Sequence, residues 1–422
     1  MRFPKMIKVR QHFTGPQVTD IEAEIAKQLL QVELSQKIKP GMKVAVTAGS
    51  RGIANIPIII RSVVRELKKL GVLPSIIPAM GSHGGATAEG QVEVLHSLGI
   101  TEHFCEAPIV SSMDVVQVGE TPGGMPVFVD KNAWEMDAVL LIGRIKVHTD
   151  FKSPIQIESG LMKMAAIGMG KHKQALLVHS YGVHGIRDIM PEVAKVVLEK
   201  VNILCGLAIV ENAFEQTALI EAIAVDKIQE REGELLKISA SLMPKLPMED
   251  IDVLVVDEIG KNYSGTGMDT NIIGRIRILG VEEPQSPSVR YVIASDLSEE
   301  SHGNALGIGL ADLTTKRLFE KLDYRKMNEN VITSSFLHRA MIPIILDNDR
   351  EAISVALRCN WGVDSENARI VLIPNTLQLE YLYASESLLA EMQRLPHIEV
   401  IGEAAEMQFD ESGYFKKSDF VH

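Results

Sequence analysis

Residues 43–87 read KVAVTAGSRGIANIPIIIRSVVRELKKLGVLPSIIPAMGSHGGAT, and this stretch predicts how the chain folds. Two short apolar runs, 43–49 and 73–80, flank a segment from about Ile56 to Leu70 with apolar residues at helical spacing. Each run stops at a polar loop that contains glycine, and Thr87 can cap a following helix. This alternation of strand, loop and helix is typical of a doubly wound α/β domain with parallel strands.

The same pattern restarts in the second half of the chain. A helical segment of about 227–243 is followed by the proline-rich PKLPMED (244–250), which indicates a domain boundary. The continuous apolar run IDVLVVDEIG (251–260) then leads into a glycine-rich loop (261–271). We therefore predict two doubly wound, Rossmann-like α/β domains, residues 1–248 and 249–422, with a cleft between them.

The composition is that of a globular protein with an acidic surface. The 422 residues are 46% hydrophobic and carry a formal net charge of −12, which disfavours nucleic acid as a partner. The three cysteines are widely separated and form no CxxC motif, which fits a reducing compartment. No apolar run reaches membrane-spanning length. We expect a cytoplasmic protein with a small-molecule substrate and neither a membrane nor a nucleic-acid partner.

Residues 143–185, GRIKVHTDFKSPIQIESGLMKMAAIGMGKHKQALLVHSYGVHG, contain four of the twelve histidines. The apolar run 138–144 predicts a strand that delivers His148 into a loop. Lys163 lies in an apolar helical run, where a desolvated lysine can act as a nucleophile, or simply cover apolar surface with its stem. The turn around Gly168 and Gly170 matches neither the P-loop nor the dinucleotide-binding motif.

His83 and His148 both follow predicted strands, so in a parallel sheet their loops open on the same edge. Two acid/base groups in one site are what a racemase or epimerase needs, one for each face of a carbon centre. Arg51 also follows a strand and offers a rigid fork of donors for a carboxylate or phosphate. The alternative is that all three are ordinary surface residues of turns.

Further candidates are weaker when taken singly. His179 follows an apolar run sixteen residues after Lys163, but without HExxH or a cysteine cluster it is a weak metal signal. Arg277 is a cation near the glycine-rich loop of the second domain, and Arg275 is its alternative. His302 and His338 also lie in predicted loops or helix ends, and we prefer a structural role for His338.

The ordered set resembles the nickel-dependent lactate racemase family, whose members are racemases and epimerases of 2-hydroxy acids. The resemblance rests on Arg51, His83, His148, Lys163 and His179 with their spacings, and it covers most of the chain. It implies a nickel pincer nucleotide, which is a pyridinium-3-thioamide-5-thiocarboxylic acid mononucleotide. Lys163 would hold this cofactor covalently and His179 would ligate the nickel.

The resemblance also implies a mechanism and partners. His83 and His148 would alternate as acid and base on the substrate hydroxyl, while C2 is inverted by hydride transfer to the nucleotide. Arg51 and Arg277 would bind the substrate, with the C-terminal domain closing over a site carried by the N-terminal one. Proteins that synthesise the cofactor would be partners, and a preparation made without them is expected to be empty.

The sequence departs from the family in ways that leave the substrate open. The interval from His148 to Lys163 is longer than usual, GLMK replaces a glycine pair before the lysine, and Arg277 stands in place of a lysine. An arginine keeps the charge but changes the hydrogen-bonding shape. The substrate is then a 2-hydroxy acid that is either lactate-like or larger, sugar acids included.

Three other functions fit parts of the sequence. A metal-dependent hydrolase or lyase would use the histidines as zinc ligands but would have no use for Lys163. A nicotinamide oxidoreductase would need a GxGxxG turn after the first strand, and Gly49–Gly52 does not supply one. A non-catalytic, anion-binding two-domain protein would explain the arginines and leave the histidines at the strand ends without a role.

Overall fold

The computed structural model describes residues 2–415, and it confirms the mixed α/β fold. Its contacts divide the chain into two compact units, residues 14–243 and residues 1–13 together with 244–422. The division after residue 243 falls at the proline-rich segment. Residues 2–13, which were predicted to belong to the N-terminal domain, pack with the C-terminal unit.

The strands of the described chain are numbered in chain order. They are β1 (Met6–Gln11), β2 (Lys43–Ala48), β3 (Leu73–Pro78), β4 (Val115–Glu120), β5 (Pro126–Asp130), β6 (Ala138–Arg144), β7 (Ile203–Glu211), β8 (Thr217–Ile223), β9 (Asp250–Ile259), β10 (Ser288–Leu297), β11 (Leu313–Thr315), β12 (Ile344–Leu346), β13 (Ile370–Ile373), β14 (Tyr381–Ser385) and β15 (Ile398–Ala405).

The α-helices are numbered in the same way. They are α1 (Ile21–Gln31), α2 (Leu34–Lys37), α3 (Ile56–Lys69), α4 (Ala88–Ser97), α5 (Glu102–Cys105), α6 (Lys131–Trp134), α7 (Leu161–Lys163), α8 (Lys171–His179), α9 (Gly182–His184), α10 (Met190–Lys200), α11 (Ile228–Leu242), α12 (Thr270–Ile273), α13 (Lys316–Lys321), α14 (Tyr324–Ser334), α15 (Asp349–Cys359) and α16 (Leu389–Met392).

The unit of residues 14–243 is built on a five-stranded sheet in the order β3-β2-β6-β7-β8. The first four strands are parallel, and β8 returns antiparallel to β7. Successive side chains of a strand point to opposite faces, so Val44 and Val46 join one buried cluster and Ala45 joins the other. Helix α3 covers the first face and α10 the second, which is the layered arrangement of a doubly wound fold.

The other unit is built on an eight-stranded sheet in the order β12-β11-β10-β9-β13-β14-β1-β15. The strands from β12 to β13 are parallel, whereas β14, β1 and β15 pair antiparallel. β1 lies between β14 and β15, which explains why residues 1–13 belong to this unit. None of the helices described between residues 2 and 415 is long and apolar enough to cross a bilayer.

Candidate functional site

Three of the predicted site residues follow neighbouring strands of the five-stranded sheet. Arg51 comes after β2, His83 after β3 and His148 after β6. β2 lies between the other two and all three are parallel, so their carboxyl ends share one edge of the sheet. The strand order reverses direction at β2, which makes the gap between β2 and β6 the topological switch point. Open α/β sheets bind their ligands at such a point.

The loop that carries Arg51 is held by an ion pair between two strand ends. Arg144 donates from Nη1 to Glu211 Oε2 at 2.5 Å and to the carbonyl of Gly52 at 3.2 Å. The other carboxylate oxygen of Glu211 accepts from the backbone N–H of Ala54 at 2.7 Å. Although Arg51 as a residue is exposed, desolvation and then repulsion from Arg144 lower the pKa of its guanidinium. It remains charged near neutrality because an arginine titrates so far above it.

His148 is fixed by contacts around its ring and at its backbone. Its N–H donates to Oε2 of the buried Glu158 at 2.6 Å. Its ring packs on Phe151, with the ring centroids 4.6 Å apart, and its Nδ1 accepts from the N–H of Asp150 at 3.1 Å. Its side chain is 10% exposed. The ring is therefore held in one orientation, and its second nitrogen, Nε2, is the candidate acid/base atom.

The long interval between His148 and Lys163 folds back on itself. Lys146 and Ser159 form an antiparallel bridge, with N–H···O distances of 2.9 and 3.3 Å. Inside this loop the Glu158 carboxylate accepts from the N–H of Ser153 at 3.1 Å as well as from that of His148. The extra residues are thus taken up in a closed loop, and the chain after Ser159 returns to the strand end.

Lys163 ends the short helix α7, which continues into a π-helical segment, Met164–Gly168. The first turn of α7 is capped from another element, because Glu232 of α11 accepts from the N–H of Met162 at 2.9 Å. A Cβ on Gly160 would lie 2.5 Å from the carboxyl carbon of Glu232, so only glycine fits this approach. Burial raises the pKa of Glu232 to about 7. π-helical segments are frequent at functional sites.

The central contact of the site joins Lys163 and His148, whose Nζ and Nε2 atoms lie 2.9 Å apart. The N–H of Asp150 lies 3.1 Å from Nδ1 of His148, which favours the tautomer with its proton on Nε2. In that tautomer Nε2–H donates to Lys163 in its neutral amine form. Desolvation, with repulsion from Arg51 second and Asp150 opposing, lowers the pKa of Lys163 to about 8, so its neutral fraction near pH 7 is well above that of an ordinary lysine.

His179, at the end of α8, belongs to the same cluster. Part of the residue is exposed, yet desolvation by the surrounding protein lowers the pKa of the imidazole. The charge of Lys163 lowers it further and that of Asp150 opposes the change. Because Asp150 also acts on Arg51 and Lys163, these charged groups lie within electrostatic range of one another. The structure thus brings Arg51, His148, Lys163 and His179 together.

His83 lies in an exposed turn at the same sheet edge, and the contacts described for it position its loop rather than its ring. Its N–H donates to the carbonyl of Met80 at 3.2 Å. Gly81, in the same turn, has a positive φ of +62° and donates its N–H to Gly168 at the end of the π-helical segment. The His83 loop therefore packs against the segment that follows Lys163.

A buried network centred on Lys171 holds that loop. Lys171 is 0% exposed, and its Nζ lies 2.5 Å from the carbonyl of Pro78, 2.8 Å from Gln91 Oε1 and 3.0 Å from Asp130 Oδ2. The amide nitrogen of Gln91 donates to the carbonyls of Gly81 and His83, at 2.9 and 3.3 Å. Lys171, which lies between Lys163 and His179 in the sequence, thus contacts the end of β3 directly and the His83 turn through Gln91.

The donor set suits a metal that brings most of its own ligands. Across residues 2–415, no three His, Cys, Asp or Glu side chains form a group that could hold a metal ion. A purely protein-held zinc site needs at least three such ligands. One imidazole, His179, beside one amine, Lys163, fits a tethered group that carries further donor atoms itself.

Comparison with known proteins gives matches of two kinds. Residues 6–153 match the family model described as the lactate racemase N-terminal domain. This match, over about a third of the chain, supports a relationship to the lactate racemase family. Among solved structures it is similar to the lactate racemase apoprotein from Thermoanaerobacterium thermosaccharolyticum, with a TM-score of 0.50 and 12% identity over 89% of this chain and 99% of that one. At that identity the likeness shows the fold alone. No curated protein matches the chain.

The matched lactate racemase domain covers only part of the predicted site. Arg51, His83 and His148 lie within residues 6–153, whereas Lys163, His179 and Arg277 lie beyond them. For Lys163 the support is its contact with His148, and for His179 it is the electrostatic interaction with Lys163.

The contacts of Arg277 are those of a structural residue in the C-terminal unit. Its Nη2 lies 2.6 Å from Asp312 Oδ1, and its Nη1 donates to the carbonyl of Gly309 at 2.9 Å. Its neighbour Arg275 is also paired with Asp312, at 2.6 Å, and donates to three further carbonyls. The head groups of both arginines are used inside their own unit, so this geometry gives no support to substrate binding by Arg277.

Lys261 is a cation of the C-terminal unit that was not among the predicted site residues. It follows β9, and β9 lies between β10 and β13, so its loop is at the switch point of the eight-stranded sheet. Its Nζ donates to the carbonyl of Gly265 within the glycine-rich loop. The signal was available in the sequence as a lysine directly after the apolar run 251–260.

Several supporting residues of the N-terminal unit were also missed. Asp150, two residues after His148, was visible in the sequence as a charge beside a candidate base. The partners Glu211, Gln91, Asp130 and Glu232 are distant in sequence from the groups that they hold, and no local pattern marks them.

Proposed function

We propose that the protein is a racemase or epimerase that inverts C2 of a 2-hydroxy acid with the help of a nickel pincer nucleotide. The observation that carries this proposal is the 2.9 Å contact between Lys163 and His148, in one cluster with Arg51 and His179. A candidate acid/base group therefore lies beside the amine that would hold the cofactor. The match of residues 6–153 to the lactate racemase N-terminal domain supports the same function.

The residues present fit the proposed cofactor. A neutral amine is the form of Lys163 that can be acylated by a thiocarboxylic acid, and a desolvated imidazole of lowered pKa is the form of His179 that ligates a metal. Imidazole is an acceptable ligand for Ni(II). When bound, the nucleotide would supply the hydride acceptor and donor at its pyridinium ring.

The remaining chemistry falls to side chains at the sheet edge. Arg51 would hold the substrate carboxylate through its guanidinium fork. His148, through Nε2, and His83 would exchange the proton of the substrate hydroxyl from opposite faces, each acting as base in one direction and as acid in the other. Turnover then needs one imidazole neutral and one protonated, so the rate should pass through a maximum with pH.

The alternatives have less support. A metal-dependent hydrolase or lyase needs a set of three protein ligands that the described residues do not form. A non-catalytic anion-binding protein would leave the oriented His148 and the Lys163 beside it, with its lowered pKa, without a role. We therefore retain the isomerase and leave the chain length of the 2-hydroxy acid open.

The test is inversion of single enantiomers. The protein would be produced together with cofactor-synthesising proteins, its proposed partners, and incubated with either enantiomer of lactate and of larger 2-hydroxy acids, sugar acids included. Chiral chromatography should show the opposite configuration at C2 for one substrate class. His148→Gln and His83→Gln should abolish inversion, and Lys173→Gln, on an exposed lysine of α8, should not. Full activity of the His148 variant would refute the assignment.

A further inference from the structure

We propose that the cofactor-free protein has a second activity, in which Lys163 reversibly forms an imine with a 2-oxo acid, assisted by His148 and Arg51. This inference rests on the proposed site but not on the cofactor. A 2-oxo acid such as pyruvate carries the same carboxylate as a 2-hydroxy acid and adds a ketone at C2.

The contacts around His148 favour the nucleophilic form of Lys163. The N–H of Asp150 lies 3.1 Å from Nδ1, which favours the tautomer with its proton on Nε2. Nε2 lies 2.9 Å from Lys163 Nζ, and in this tautomer its N–H donates to the neutral amine, which an ammonium group could not accept. A neutral lysine amine in a desolvated position is the group that attacks carbonyl carbon in imine-forming enzymes.

The charges around the amine favour an acidic ketone over a neutral one. Arg51 acts electrostatically on Lys163 and is held in place by the Arg144–Glu211 pair. A guanidinium group binds a carboxylate through two parallel hydrogen bonds. Binding of the 2-oxo acid by Arg51 would present C2 to the amine and exclude simple ketones.

Imine formation requires only Lys163, His148 and the 2-oxo acid. The Nζ lone pair attacks C2, and the carbonyl π pair moves to oxygen. The two protons of the new ammonium then pass to that oxygen in turn, each by an exchange in which His148 Nε2 gives its proton to the oxygen and takes one from the nitrogen. The oxygen leaves as water, the neutral C=N bond forms, and His148 ends with the proton it began with. No oxidant or reductant is required. Attachment of a cofactor to Lys163 removes the lone pair, so loading and imine formation are mutually exclusive.

The experiment is reductive trapping on the full chain made without cofactor-synthesising proteins. The protein is treated with pyruvate and cyanoborohydride at pH 8, and the lysine peptides are quantified by mass spectrometry. At this pH a lysine of pKa about 8 has about 100-fold more neutral amine than an ordinary lysine. We expect Lys163 to gain the mass of pyruvic acid less one oxygen, at least tenfold faster than the exposed Lys173.

Two comparisons test whether the carboxylate of pyruvate and Arg51 cause the preferential labelling of Lys163. One uses a different ketone on the wild-type chain, and the other uses a variant of Arg51. Acetone should not label Lys163 preferentially, and Arg51→Met should remove the preference for pyruvate while leaving labelling of Lys173 unchanged. Equal labelling of Lys163 and Lys173 by pyruvate in the wild-type protein would overturn the proposal.

The outcome is separable from that of the proposed function. If Lys163 traps pyruvate but never carries a nucleotide, the imine activity stands and the racemase assignment falls. If Lys163 takes up the nucleotide but the cofactor-free protein does not trap pyruvate, the racemase assignment stands and the imine activity falls. Protein already loaded at Lys163 should show no trapping at that residue, and trapping there would contradict mutual exclusion.

Discussion

At the scale of single residues, the nucleophilicity of Lys163 depends on where one proton lies. Lys163 and His148 share a contact of 2.9 Å, and the backbone N–H of Asp150 favours the tautomer with its proton on Nε2. Desolvation and then the nearby Arg51 lower the pKa of Lys163, while the carboxylate of Asp150 opposes them. Desolvation and the neighbouring charges therefore control the pKa of Lys163.

Removing the two neighbouring charges should shift the pKa of Lys163 in opposite directions. Arg51→Met should raise the pKa of Lys163 from about 8, because it removes a repulsive cation, and Asp150→Asn should lower it, because it removes an attractive anion. Competitive acetylation of Lys163 over a pH series, with Lys173 as the internal reference, measures both shifts. Shifts in the same direction for the two variants would contradict the electrostatic account.

At the scale of elements, the site is assembled by side chains that join one loop or helix to another. Lys171 and Gln91 connect the start of α8 to the His83 turn, and Glu232 connects α11 to the start of α7. Both connections are buried, so losing one leaves polar groups without partners at a cost of about 1–3 kcal/mol each.

The Gln91 connection predicts the mobility of the His83 turn. Gln91→Leu should remove two hydrogen bonds to the carbonyls of Gly81 and His83, and amide hydrogen exchange in residues 79–90 should rise by about tenfold. Gln117→Leu, at an exposed glutamine of β4, is the matched control and should leave exchange in this peptide as it was. Unchanged exchange in the Gln91 variant would mean that the turn is held by other contacts.

The Glu232 connection predicts a pH dependence of stability. Burial raises the pKa of Glu232 to about 7 from its ordinary 4.5, so between these values the folded chain binds more protons than the unfolded one. Its contribution to the free energy of unfolding should therefore fall as the pH rises from 4.5 to 7. Glu232→Gln keeps an acceptor for Met162 and removes this dependence, whereas Glu232→Ala should cost about 1–3 kcal/mol.

Urea unfolding at pH 5 and pH 8 tests the Glu232 prediction. The wild-type protein and the Gln variant should differ in the change between the two pH values, and Glu230→Gln, on the exposed side of α11, should behave as wild type. If the Gln variant keeps the full wild-type pH dependence, Glu232 is not the group responsible.

The elements were largely predictable from the sequence, and their connections were not. The runs 43–49 and 73–80 and the helix from about Ile56 carry local periodicity, and they appear as β2, β3 and α3. Periodicity says nothing about long-range partners, so the contact of Glu232 with α7 and the ion pair of Asp130 with Lys171 needed the structure. The same limit hid the pairing of β1 with β14 and β15.

At the scale of the whole molecule, the candidate site follows from strand order. Arg51, His83 and His148 lie far apart in sequence, and they share one sheet edge because β3, β2 and β6 are adjacent and parallel. The sequence predicted that edge correctly from its apolar runs. The pairing of Arg277 with Asp312 was not predictable in the same way, because no local pattern links the two residues.

The central claim is that Lys163 carries a nickel-bearing nucleotide. The most direct measurement is intact mass and nickel content of the protein made together with cofactor-synthesising proteins, followed by peptide mapping. The account predicts the added mass of a pyridinium mononucleotide on the peptide that contains Lys163, with bound nickel that is lost in His179→Ala. An unmodified chain, under conditions that load a lactate racemase, would contradict it.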